Sequence, residues 1–421
     1  MQTKTLIFLF FLLYSQIYSQ SWIEFPTISQ SENKSCYFFN DNEGIIVGFY
    51  KPFIQNTVNA GVNWNIFGEN IYGDHQKIFF RDQNTGYIYG YNGMYRTTNS
   101  GFSWDHFPLG ITVFDHCFIN QNTGFLGGDG DYFITTNSGV NWTKKYGNET
   151  DTNYLGFTYL NNTLYLLKSF ANVNHQFLKS SNLGNSWESV YTFQNGSNNF
   201  CLYSNGNNIF VTCQNYNDTG YIYKSVNGGI NWSTTSTSGK AILRNMMFHK
   251  QNGNYGYIVG NYENDHNNAY KGIILKTTNS GDTWIEQVYG NSNTFYNSVF
   301  ITDRYVFIAA TGVVIRGEHT IGIKNISSII PEKMILHQNY PNPFNPITKF
   351  KFEIPQNYNL KKIKLSVYSI LGNEIIVLAQ REFKAGIYEA DFDASHLSSG
   401  IYFYKLSTDD IELVRKMILL K

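Results

Sequence analysis

The chain has 421 residues with 31 basic against 31 acidic, so it presents no net field of the kind that draws in nucleic acid or an anionic membrane surface. Charged residues make up only 15% and aromatics 17%, with 36 glycines, a composition suited to short strands and tight turns. Four cysteines are too few for a disulfide scaffold. No histidine pair has metal-ligand spacing, and neither a phosphate loop nor a nucleophile elbow is present, so no metal or cofactor is expected.

Residues 1–19 are expected to be a secretion signal. Lys4 precedes the apolar run Leu6–Tyr14, small residues follow, and cleavage after Ser19 would leave Gln20 at the new terminus. The run is too short to cross a bilayer, which takes about 20 apolar residues, and no later segment approaches that length. The expectation is an exported chain with no transmembrane segment.

After a lone strand at Trp22–Phe25, one eight-residue phrase recurs. TVNAGVNW (57–64), TTNSGFSW (97–104), TTNSGVNW (135–142), SSNLGNSW (180–187), SVNGGINW (225–232) and TTNSGDTW (277–284) share Thr or Ser first, Asn third, Gly fifth and Trp eighth. The common letters are Asn59, Gly61 and Trp64; Asn99, Gly101 and Trp104; Asn137, Gly139 and Trp142; Asn182, Gly184 and Trp187; Asn227, Gly229 and Trp232; and Asn279, Gly281 and Trp284. Each letter has a folding role. The Asn side chain closes a turn by bonding nearby backbone N–H groups, the first hydroxyl adds a local bond, Gly takes a positive φ, and Trp buries a large apolar face as the next strand opens. None of these roles needs a substrate. The phrase resembles the Asp-box, or BNR, repeat of sialidase-like propellers, with Asn where many copies carry Asp.

The stretches between boxes repeat as well. In QKIFFRDQNTGYIYGYNGMYRTTNSGFSW, strands are expected near Lys77–Arg81, at YIYGY and at GMYRT, with a fourth after the box. Box tryptophans recur at spacings of 40, 38, 45, 45 and 52 residues, the length of a four-stranded propeller blade. After the sixth box, 297–317 supplies three strands and no fourth; Trp22–Phe25 is a fourth strand without the other three, 42 residues before Trp64. Residues 20–318 are therefore expected to be a seven-bladed β-propeller closed by its N-terminal strand, which removes open sheet edges. Within it, Cys201 and Cys213 flank a Gly206 turn and would face each other across a hairpin; four buried apolar cysteines are the preferred reading.

Chemistry on such a propeller is weighed against the family likeness. Sialidases hold a carboxylate with three arginines, one in an Arg-Ile/Leu-Pro motif that this chain lacks. Arg96 and Arg316 share a strand position with Lys179, Lys224 and Lys276, Arg81 and Arg304 fall at first hairpin turns, and Arg244 is left without companions. Sialidase activity is not expected. Xyloglucanase-like enzymes pair two such propellers around a cleft, whereas one is expected here. Propeller ligands usually meet the face opposite the boxes, where the long connections 170–176, 214–220 and 261–272 offer His175, Tyr216, Asp218, Tyr262, Glu263, Asp265 and His266 as binding candidates. Carboxylates among Asp129, Asp131, Asp218, Glu263 and Asp265 are the candidates should the protein be a glycosidase. The blade number and box usage also resemble the photosystem II assembly-factor-like group, which act as interaction proteins.

Composition shifts near Glu318. Residues 319–332 read as a linker and 333–421 as a small Ig-like β-sandwich, with Pro341, Pro343 and Pro346 forcing an extended entry before alternating strands. QNYPNPFNP (338–346), LSVYSILGNEI (365–375), AGIYEADFDASHLSSGIYFYKL (385–406) and KMILLK (416–421) resemble the type A C-terminal sorting domain of the type IX secretion system. The residues carrying that likeness are Asn339, Pro341, Asn342, Pro343, Asn345, Pro346, Gly372, Gly400, Lys416 and Lys421. The resemblance implies that the outer-membrane secretion machinery is a partner and that the protein is released or fixed at the cell surface. The expected function is a non-catalytic module binding glycan or protein, with a glycoside hydrolase or lyase as the alternative.

Overall fold

The computed structural model describes residues 22–28, 32–49, 54–68, 71, 73–91, 93–146, 152–170, 174–193, 201–214, 219–250, 252–264, 269–287, 294–318, 323–327, 329–394 and 397–420. The expected signal at 1–19 lies outside them. The fold is all-β; among the described residues the one helical element is a 3-10 turn at Gln356–Tyr358.

Residues 22–318 form antiparallel four-stranded units following one another along the chain. The first contains Asn33–Phe38, Gly44–Gly48, Ile54–Thr57 and Asn65–Ile66, and the second His75–Phe80, Gly86–Gly90, Gly93–Thr97 and Asp105–Phe107. Two more units run from Val113 to Tyr146 and from Thr152 to Phe193. A single long strand, Ser233–Phe248, serves as fourth strand of the fifth unit and first strand of the sixth, fusing them into one seven-stranded sheet. In the last unit Tyr296–Ile301, Tyr305–Ala310 and Val313–Glu318 are completed by Trp22–Pro26, with Trp22 opposite Gly317. Counted this way there are seven four-stranded units.

Every box folds the same way. At the second, the Thr97 hydroxyl accepts the N–H groups of Asn99 and Gly101 at 3.2 and 3.0 Å, and Asn99 Oδ1 accepts the Ser103 N–H at 3.0 Å. Asn99 Nδ2 donates to Ser103 Oγ at 2.9 Å, a bond repeated at Asn182–Ser186 and Asn279–Thr283. That bond gives the neutral amide a use beyond the turn. Two consecutive residues take positive φ, positions four and five, as at Ser100 (60°) and Gly101 (91°). Four of the box tryptophans then pack edge-on against the phenylalanine that ends the first strand of their own unit, in Phe38–Trp64, Phe80–Trp104, Phe118–Trp142 and Phe248–Trp284, whereas Trp187 packs on Tyr132 of the preceding unit and Trp232 on Phe177 and Phe193.

Cations at the third strand tie neighbouring units together. Arg96 Nε donates to the Ser138 carbonyl of the next box at 3.1 Å, and Lys224 Nζ reaches Asp282 at 2.6 Å. All four cysteines are free thiols. Cys201 pairs across the hairpin with Thr212, one residue short of Cys213, so the two thiols do not sit opposite each other.

The C-terminal part is a sandwich of two antiparallel four-stranded sheets around one core that includes Phe350, Phe352, Leu365, Val367, Tyr404 and Met417. The span expected as a linker contributes to it: Ile323–Ser327 pairs with Gly386–Asp393 as an edge strand, because Ile323 has a place in that core.

Candidate binding site at the mouth of the central cavity

The first strands of all seven units line one cavity of about 1260 Å³. In six units that strand carries a β-bulge at the same place, just inside its start. A bulge inserts one extra residue and re-aims its side chain. The extra residues are Lys34, Gln76, Phe114, Leu155, Arg244 and Asn297, and all six line the cavity. The next residues inward are small or polar: Ser35, Lys77, Asp115, Gly156, Asn245 and Ser298. Deeper still, Tyr37, Phe79 and Phe300 supply rings, with Tyr37 and Phe300 centred 4.8 Å apart.

The second strand explains how the bulge is accommodated. In four units it reads Gly-x-x-x-Gly, and its last glycine lies opposite the bulge, as Gly260 lies opposite Leu243. A methyl group on Gly260 would overlap the Ile242 carbonyl oxygen, so the close backbone approach requires glycine there. Gly48, Gly90 and Gly128 stand in the same relation to Glu32, Asp74 and Thr112.

Charges in and around the cavity are mostly matched. Lys77 Nζ meets Asp115 at 2.6 Å, and Lys34 Nζ meets Glu32 at 2.5 Å while lying 4.4 Å over the Phe49 ring. Burial lowers the pKa of Lys34, with Glu32 opposing that shift. Arg244 differs: its Nε donates to Asn261 Oδ1 at 3.3 Å and its guanidinium lies 5.6 Å from the Phe295 centroid, but among the described residues its terminal nitrogens have no hydrogen-bond partner. Burial lowers its pKa too, opposed by Glu32 and Tyr270. His116, which meets the Tyr89 hydroxyl, is held at about 4 by burial, and burial pushes Cys201 up to about 11, so neither is poised as a base or nucleophile at neutral pH.

The residues expected on the long loops are arranged otherwise. His175 is wholly buried, in strand Asn174–Ser180 opposite Ser169, with its pKa lowered to about 4 by burial; it faces no solvent and is corrected from ligand candidate to core residue. Tyr262 is half-buried and donates to Glu286 at 2.7 Å, away from the cavity wall. Glu263 pairs through its backbone with Tyr270. Tyr216, Asp218, Asp265 and His266 lie outside the described residues. Asp131 is held by Lys144 at 2.6 Å, and Asp129 bridges to Asn153. Apart from Arg244, the bulge residues carry no motif of their own in the sequence. Their signal is positional: in the first, second, third and sixth units each stands four residues before the phenylalanine that ends the first strand.

The sorting-motif residues build one edge of the C-terminal sandwich. Asn339 is buried and donates to the Pro341 carbonyl and the Thr348 hydroxyl, at 3.0 and 2.9 Å. Asn342 Oδ1 accepts the Ile418 N–H at 2.9 Å, and Phe344, between Pro343 and Asn345, exchanges backbone bonds with Ile418 and Leu420. Pro346 accepts the Ala394 N–H, Gly372 turns with φ 80°, and Gly400 opens a strand opposite Leu419. Lys416 is exposed while its carbonyl takes Gln338 Nε2 at 2.7 Å; Lys421 lies outside the described residues. The motif thus clamps the last strand, Glu412–Leu419.

Residues 338–420 match the secretion system C-terminal sorting domain family. That domain directs the chain to the type IX machinery, and hence to the outer surface or the extracellular space. Among the described residues no helix is long and apolar enough to cross a membrane. No curated protein matches the sequence. Among solved structures, the chain is similar to YCF48 from Cyanidioschyzon merolae at 15% identity and TM-score 0.51, covering 70% of this chain and 98% of that one. It is also similar to the extracellular domain of the putative one component system BT4673 from B. thetaiotaomicron, at 11% identity and TM-score 0.52, covering 96% of this chain but only 58% of the other. At these identities the likeness concerns the fold alone, which is that of a β-propeller followed by a small sandwich.

Proposed function

We propose that the seven units are the blades of one closed Asp-box propeller, exported through an N-terminal signal and the C-terminal sorting domain, and that it acts as a non-catalytic binding module for a polar ligand, glycan or protein. The observation that carries this reading is the shared bulge, which turns six different side chains toward one cavity mouth on a rigid strand scaffold. The mixture of amide, cation, aromatic and aliphatic groups suits recognition. Asp115 on the cavity wall and Glu32 beside it are each ion-paired, to Lys77 at 2.6 Å and to Lys34 at 2.5 Å.

The test is a panel of polysaccharides and surface proteins offered to the purified full chain, with binding and reducing-sugar release measured together. Binding without turnover, weakened by Phe114→Ala, is the expected result. Turnover abolished by substituting Asp129, Asp131, Asp218, Glu263 or Asp265 would replace it with the glycosidase reading.

A further inference from the structure

Arg244 is the one cation at the cavity mouth that the described residues leave uncompensated. The carboxylate nearest to influence it, Glu32, is already taken by Lys34 at 2.5 Å. Asp74 acts on Lys34, and the phenol of Tyr270 acts on Arg244. A half-buried guanidinium carries a desolvation cost that an anionic partner would offset.

The residue is also held in place. Asn261 is wholly buried; its Nδ2 donates to the Thr294 carbonyl at 2.9 Å and its Oδ1 accepts the Tyr296 N–H and Arg244 Nε, each at 3.3 Å. Phe295 lies beneath the guanidinium and is itself packed on Tyr270, ring centroids 4.5 Å apart. One edge of the fork is therefore fixed by Asn261, leaving the terminal nitrogens for a planar two-oxygen acceptor.

We propose that this mouth binds the carboxylate of an acidic saccharide, Arg244 taking the two carboxylate oxygens while Lys34 neutralises Glu32 beside it. The inference rests on the binding-module reading above and narrows it. The surroundings favour a sugar over a peptide. Gln76, Ser35 and Ser298 bring an amide and hydroxyls suited to ring hydroxyls, and Phe114 offers an aromatic face for a pyranose ring, all lining the same cavity.

The experiment is calorimetric titration of the full chain with trigalacturonate and with a glucuronate oligomer, each against its methyl ester. At least one free acid is expected to bind about tenfold or more tightly than its ester. Arg244→Gln should abolish that preference, Arg244→Lys should restore only part of it because an ammonium lacks the fork, and Lys34→Gln should weaken the acid by about threefold. Unchanged melting temperatures would show that the variants fold.

Equal binding of acid and ester, indifference to Arg244→Gln, competition by a tri-aspartate peptide as effective as by the saccharide, or no binding of either acid would each overturn the proposal. A neutral glycan that binds, is weakened by Phe114→Ala and ignores Arg244→Gln would sink this inference while leaving the binding module standing.

Discussion

Arg316 Nη1 donates to the Ala60 carbonyl at 2.7 Å, joining the third strand of the last unit to the first box of the chain. The two residues are 256 positions apart, and their bond ties the last unit to the first. Arg316 also lies 4.5 Å over both the Phe25 and Tyr305 rings, so it fastens the N-terminal strand as well. Arg316→Met should lower stability by about 2–3 kcal/mol, from one charge-assisted bond and the stacked cation. Urea denaturation measures it, and hydrogen exchange should show Trp22–Pro26 opening first. Unchanged exchange there would mean the strand is held by its ladder alone.

The box chemistry predicts a contrast at Asn99. Its Oδ1 takes the Ser103 N–H while its Nδ2 meets the Ser103 hydroxyl, which can turn its own hydrogen toward a carboxylate. Asn99→Asp should therefore cost less than about 0.5 kcal/mol, whereas Asn99→Leu, leaving both groups unpartnered, should cost about 1–2 kcal/mol. Paired chemical melts of the two variants decide it.

Gly260 connects scaffold to site. A methyl group there would push on the Ile242 carbonyl beside the bulge that presents Arg244. Gly260→Ala should cost about 2–4 kcal/mol by overpacking, while Gly239→Ala, whose nearest neighbour would be 3.5 Å away, should be close to neutral. Equal melting temperatures for the two variants would show that the strand absorbs the methyl group.

Four imidazoles make stability depend on pH. His75, His116, His175 and His249 are each lowered by burial to about 4 in the folded chain, against 6.5 when exposed. Below pH 6.5 the unfolded chain takes up protons that the folded chain refuses until about pH 4. Stability should therefore be level above pH 6.5 and fall as pH drops through that window. For His116, partly buried on the cavity wall, the loss is at most on the order of 3 kcal/mol at the acid end. Thermal melts at pH 7 and pH 5 test the trend, and a His116→Gln variant should show a shallower dependence.

The sequence by itself determined the repeat, because each box carries its turn chemistry within eight consecutive residues: hydroxyl, amide, glycine and tryptophan act on neighbours a few positions away. Strand order within a unit and the prolines of the sorting motif were legible for the same local reason, and the completion of the last unit by Trp22 followed from counting strands against the repeat. Only the tertiary structure decided the rest. A bulge depends on what a partner strand allows, so the mouth formed by Lys34, Gln76, Phe114, Leu155, Arg244 and Asn297 is scattered over 264 positions and marked in the sequence only by the spacing to a phenylalanine and the glycine opposite. His175 reads as a polar loop residue because polarity along the chain cannot show that a hairpin end is packed over. Arg244 looked isolated for the converse reason: Lys34 and Asn261 lie far from it or on another strand, and closing the ring is what brings their charge and hydrogen bonds to one place.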